Sequence, residues 1–95
     1  MTEKDISRES PIFSEQNEII GKGENFLILH NDDIHTFDYV IESLVDVCEH
    51  NTIQAEQCTF IIHYKGKCDV KKGSFDYLKP MKDGLIDRGL DATID

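Results

Sequence analysis

Several features that would place this chain in a familiar class are missing. No stretch approaches the ~18–20 consecutive apolar residues of a membrane-spanning helix. The opening residues, MTEKDISRESPIF, hold no apolar core of the kind a secretion signal needs. The three cysteines, Cys48, Cys58 and Cys68, form no CxxC pair. An odd, scattered set with no signal sequence points to reduced thiols in a cytoplasmic protein, not to a disulfide framework. A Gly-rich phosphate loop and a nucleophile motif are both lacking, so catalysis finds little support. Basic residues are absent from Gly23 to Tyr64, and the whole chain carries a net charge of −9. That balance argues against nucleic acid, whose phosphates require a basic surface.

What is present is one small domain. A chain of 95 residues has room for a single modest core. Residues 1–24 are polar and aperiodic and read as a flexible N-terminal arm, with Ile12, Phe13, Ile19 and Ile20 as isolated apolar positions that could dock on a partner. Residues 25–95 read as the folded domain. The stretch from Gly23 to Tyr64 is acidic, with Glu24, Asp32, Asp33, Asp38, Glu42, Asp46, Glu49 and Glu56. Most of the basic residues follow it. Such an acidic stretch is either a solvated face or a site that attracts a cation.

Phe26 to His30 is an apolar run of strand type, and Asn31 to Thr36 is a loop. From Phe37 the apolar residues Phe37, Val40, Ile41, Leu44, Val45 and Cys48 recur at helical spacing, with Thr36 or His35 as the cap. Asn51 and Gln54 look like a capping box opening a second helix, whose stripe is Ala55, Cys58, Thr59 and Ile62 and whose end is Gly66. Cys68 to Val70 is a short strand. Ser74 caps a third helix, with a kink or a start near Lys79 because Pro80 cannot donate a helix bond. Gly89 ends that helix, and Leu90 to Ile94 is a last strand. The order β-α-α-β-α-β predicts an α+β domain, a three-stranded antiparallel sheet covered by three helices.

One constellation carries chemistry. Asn31 offers a carbonyl oxygen, Asp32 a carboxylate, and neutral His63 a bare ring nitrogen. Three convergent acceptors suit a primary ammonium, which has three N–H donors and a positive charge. Taken singly, His63 reads as a structural histidine, and Asn31-Asp32-Asp33 as a turn and helix cap. Metal binding is the rival, with His30, His35, His50, His63 and the cysteines as possible ligands, and a metal-dependent hydrolase could use Asp32, Asp33 and His63. Their spacings match no zinc motif and no i, i+4 histidine pair. No cofactor is expected. Cys48 and Cys58 fall on apolar faces and read as core.

"LHNDD" after a strand, an amphipathic helix from Phe37, and then "AEQCTFIIHYKGKC" resemble the ClpS family of adaptor proteins, which serve a bacterial Clp AAA+ protease. The resemblance runs from about Phe26 to Ile94. It implies a non-enzymatic adaptor that binds N-degrons, proteins whose first residue is Leu, Phe, Tyr or Trp. The adaptor would hand them to a ClpA- or ClpC-type unfoldase by docking on its N-terminal domain. By motif, Asn31, Asp32 and His63 would hold the substrate's α-amino group. Asp33 would shape the loop and rim, and Leu29, Val40, Ile62 and Leu90 would line the apolar pocket. The arm matches the family's flexible extension, and a monomer is expected.

Two departures stand out. The family's usual Thr-Pro-Met is His35-Thr36-Phe37 here, and a pocket Met on the next helix is Thr59. One wall moves in and another out, and His35 either donates to the loop or lines the rim. The alternative is therefore a ClpS-fold module that docks on the unfoldase without reading N-degrons.

Overall fold

The computed structural model describes residues 24–95. The expected arm, with Ile12, Phe13, Ile19 and Ile20, lies outside them except for Glu24. The elements follow the expected order: β1 (Asn25–His30), α1 (Phe37–Cys48), α2 (Thr52–Lys65), β2 (Lys67–Gly73), α3 (Phe75–Asp87) and β3 (Asp91–Ile94). The three strands form one antiparallel sheet in the order β2-β1-β3. As the central strand, β1 pairs on both edges, and Leu27, Ile28 and Leu29 are buried. A continuous apolar run is what a strand covered on both faces requires.

Local cap chemistry sets the helix starts. The side chains of Thr36, Asn51 and Ser74 accept from the backbone N–H groups of Tyr39, Gln54 and Tyr77. Each thereby satisfies one of the orphan donors of a first turn. The ends are set by left-handed residues. Gly66 closes α2 at φ 93°, with its N–H on the Ile62 carbonyl. At the end of α3, Gly89 at φ 86° donates to Ile86 and Leu90 donates to Leu85. These paired bonds form a Schellman motif. They also correct the last strand: Leu90 is used by the helix closure, so β3 begins at Asp91.

β2 is likewise longer than Cys68 to Val70. It extends through Lys71 and Lys72, whose charged side chains suit an edge strand. Its ladder with β1 contains a bulge. Leu27 pairs with Lys71 and Ile28 with Asp69, which leaves Val70 between them unpaired. The buried ring of His50 answers that gap, its Nε2 donating to the Val70 carbonyl at 2.6 Å. A residue that composition offers as a metal ligand is instead the hydrogen-bond partner of the bulge. Lys71 Nζ reaches the Cys48 carbonyl at 3.0 Å, supplying the positive charge that the last turn of α1 lacks.

Pro80 gives the other correction. α3 runs unbroken through it, with neither a restart nor a break near Lys79. Asp76, whose carbonyl loses its helical partner, and Pro80 itself are both exposed, so water can take the place of the missing N–H. The core gathers Leu27, Leu29, Leu44, Cys48, Ala55, Ile62, Val70, Leu78, Leu85 and Leu90 between sheet and helices. Because Pro80 sits at an exposed helix position, Pro80→Ala should stabilise the domain by roughly 1–3 kcal/mol. Urea unfolding of the two proteins checks this, and a lower midpoint for Pro80→Ala would contradict it.

Candidate functional site

The β1 ladder continues one residue into the following loop. After His30 pairs with Lys67, the Asn31 N–H donates to the Gly66 carbonyl at 2.9 Å. This bond pins the loop after β1 to the C-terminal end of α2, where His63 lies one turn back. A cavity of about 340 Å³ opens there, lined by Asn31, Asp32, Asp33, His35, Thr36, Phe37, Val40, Thr59, Ile62 and His63. A pocket adjoining it shares Asn31, Asp32, His35, Val40 and Ile62 and adds Leu29, His30 and Leu90. The candidate amine- and pocket-forming residues line these two adjoining cavities, with Leu29 and Leu90 buried. Thr36 is an addition: read from sequence only as a possible cap, it also lines the wall.

Within the loop, Asp32 is heavily engaged. Its Oδ1 accepts from the N–H groups of Ile34 and His35, both at 2.9 Å. Its Oδ2 accepts from His35 Nδ1, also at 2.9 Å. A carboxylate offers about four lone-pair sites, so one remains on Oδ2. Partial burial pushes the Asp32 carboxyl up, but the bonds from the His35 backbone, the His35 ring and the Ile34 backbone outweigh it, and the net shift is downward. Asp32 stays anionic. Among the described residues nothing hydrogen-bonds to the side chain of Asn31 or to the ring of His63.

His35 belongs to a second chain of contacts. Its ring stacks on Tyr39 with centroids 4.9 Å apart, and Tyr39 Oη donates to the Arg88 carbonyl at 2.7 Å. A Cβ at Gly89 would sit 3.2 Å from His35 Nε2, so glycine there serves both the turn and this packing. His35 donates to the Asp32 carboxylate and lines the cavity. The anionic loop is thereby tied to the turn that presents Leu90. Thr59 gives its hydroxyl to the Ala55 carbonyl at 2.7 Å and adds no free donor to the wall. Phe37 packs edge-on against His63 at 5.2 Å and against Phe60 at 5.3 Å.

A family model described as "ATP-dependent Clp protease adaptor protein ClpS" matches residues 23–93. The chain belongs to the ClpS family. No curated protein matches it significantly. A solved structure with the same fold is that of Agrobacterium tumefaciens ClpS2 bound to L-phenylalaninamide. It has a TM-score of 0.74 at 19% identity, covering 78% of this chain and 96% of that one. ClpS is a family of adaptors, not of catalysts. Among the described residues no group of three or more His, Cys, Asp or Glu is arranged to hold a metal. None of their helices is long and apolar enough to cross a membrane. Burial pushes the Cys48 thiol up to about 11, and burial together with the neighbouring Cys58 thiol pushes Cys68 up to about 12. Such thiols are poor nucleophiles at neutral pH.

Phe60 and Tyr64, not singled out from the sequence, are exposed and pack beside Phe37 and His63. Their i, i+4 spacing on a helix whose core stripe is Ala55, Thr59 and Ile62 was the available signal.

Because the folded pKa of Asp32 lies below its unfolded value, its stabilisation is present at neutral pH and is lost as pH falls through the lowered folded value. His35→Ala removes the ring bond and leaves the two backbone bonds. The Asp32 carboxyl should then titrate closer to the ordinary range, as read by NMR of the side-chain carbon. An unchanged midpoint would mean that the ring contributes nothing.

Proposed function

We propose that this ClpS-family protein is an adaptor for N-degrons. It would bind the free amino group and bulky apolar side chain of a protein's first residue and deliver that protein to a Clp AAA+ unfoldase of ClpA or ClpC type. The observation that carries this reading is the convergence of Asn31, Asp32 and His63 on the same cavity whose walls are Phe37, Val40, Thr59 and Ile62. In the bound state the Asn31 carbonyl, the open lone pair of Asp32 Oδ2 and a His63 ring nitrogen each accept one N–H of the ammonium. Asp32 adds the countercharge. The first side chain fills the hole, over a floor of Leu29 and Leu90.

The dimensions fit. At about 340 Å³ the cavity is near the small end of the ~300–1,000 Å³ typical of ligand pockets, which suits one residue and its amine. L-Phenylalaninamide, the molecule bound to Agrobacterium ClpS2, presents the same two groups, an α-ammonium and a benzyl side chain. Phe37 and Thr59 both line the cavity, and the internally bonded Thr59 hydroxyl leaves its part of the wall short and effectively apolar. In this reading the protein acts in the cytoplasm as a monomer, and its arm serves delivery.

Burying a Leu or Phe side chain is worth roughly 1.5–3 kcal/mol, so a peptide starting with Ala should bind more than tenfold worse than one starting with Phe. Acetylating the amine of the Phe peptide should remove binding, because it deletes the charge and two of three donors. Fluorescence anisotropy with labelled peptides reads both. If neither change weakens binding, or no free bulky terminus binds, the docking-only alternative takes over.

Asp32→Ala and His63→Ala should abolish measurable peptide binding while leaving the circular dichroism spectrum intact. Affinity should also fall above about pH 8, where α-amines lose their proton. An affinity that holds constant to pH 9.5 would argue against ammonium recognition.

A further inference from the structure

Beside the cavity lies a closed array of four rings. Phe37 meets Phe60 at 5.3 Å, Phe60 lies parallel to Tyr64 at 6.4 Å, Tyr64 meets His63 at 4.9 Å, and His63 meets Phe37 at 5.2 Å. Phe37 and His63 line the cavity; Phe60 and Tyr64 face solvent at 51% and 76% exposure. We infer that Phe60 and Tyr64 form a ledge that reads the second residue of a bound N-terminus and favours an aromatic side chain there. The inference rests on the pocket reading above and extends it by one residue.

Geometry sets the direction. With the ammonium held at His63 and the first side chain in the hole, the chain's only exit is through its own carbonyl, out of the mouth. The lining includes the polar loop Asn31–Asp33 and the rings of Phe37 and His63. The Tyr64 ring centroid lies 4.9 Å from that of His63, about one Cα–Cα step of 3.8 Å beyond it. A chain leaving the mouth on the His63 side would therefore carry its second side chain toward Tyr64, with Phe60 stacked beside it. The ledge is continuous with the pocket because Phe37 and His63 belong to both.

Chemistry sets the preference. Parallel rings expose a flat apolar face, and aromatic side chains gain most by stacking on such a face.

The test is a peptide series with Phe first and Trp, Leu, Ser, Arg or Glu second, titrated into the full chain and into Tyr64→Ser, Phe60→Ser and Tyr64→Phe. The readout is the ratio of dissociation constants for Phe-Ser and Phe-Trp. The expected ratio is about three to ten in the unaltered protein. It should be near one in both serine variants and restored in Tyr64→Phe, since the ring matters and the hydroxyl does not. Equal affinities across the series, a ratio that survives both serine variants, or a tightest binder with Arg that salt weakens would each overturn the ledge and leave the first-residue pocket standing. If no Phe-first peptide binds, or acetylated Phe peptides bind equally well, the pocket reading fails and the ledge falls with it.

Discussion

The site depends on a single backbone bond, the one from the Asn31 N–H to the Gly66 carbonyl. It carries the β1–β2 ladder past the end of the strand and into the loop. Because Gly66 is also the left-handed stop of α2, the same bond fixes the helix end against the sheet. Asn31 and Asp32 on one side and His63 on the other then have no freedom to drift apart. An exposed loop and an exposed helix end would not hold three acceptors in register on their own. The ladder does it with rigidity borrowed from β1, whose edges are both paired.

Charge and shape are handled separately around this pin. Asp32 spends most of its hydrogen-bonding capacity on its own loop, on Ile34 and His35, and keeps one lone pair and its negative charge for a ligand. Preorganisation of this kind means that the loop need not be ordered at the moment of binding. The apolar side is assembled from separate elements, Val40 of α1, Thr59 and Ile62 of α2, and Leu90 after α3. His35 links the two sides through Tyr39 and the turn at Arg88 and Gly89.

Features governed by local chemistry were legible in the sequence. Thr36, Asn51 and Ser74 announce helix starts because a short polar side chain satisfies an orphan N–H only there. Gly66 and Gly89 announce helix ends because only a residue without a Cβ adopts the required φ cheaply. Asn31, Asp32 and His63 could be singled out because their acceptor types suit an ammonium; that they line one cavity is visible only in the fold. Non-local features were not. The length of β2 depends on its pairing with β1, and its lysines carry no apolar signature. The Val70 bulge and its rescue by His50 involve residues twenty apart, with nothing in either to mark the other. Pro80 misled because the rule against it assumes a buried carbonyl one turn back, and here that carbonyl faces water. The internal bonding of Asp32 and the outward pair Phe60 and Tyr64 emerge only once the loop and the helix are in place.

The Schellman turn at Gly89 has a consequence for the birth of the protein. It sets Leu90 beneath a cavity whose mouth was specified at Asn31, so the walls of the hole come from the early, middle and late parts of the domain. Contacts so far apart along the chain close late in folding. A chain still being translated can form its first two helices and display Asn31, Asp32 and His63, yet it has no floor until the segment beyond Gly89 has left the ribosome and β3 has paired. If the protein reads N-termini as proposed, a half-made copy would lack the floor of the pocket, and binding would await the finished domain.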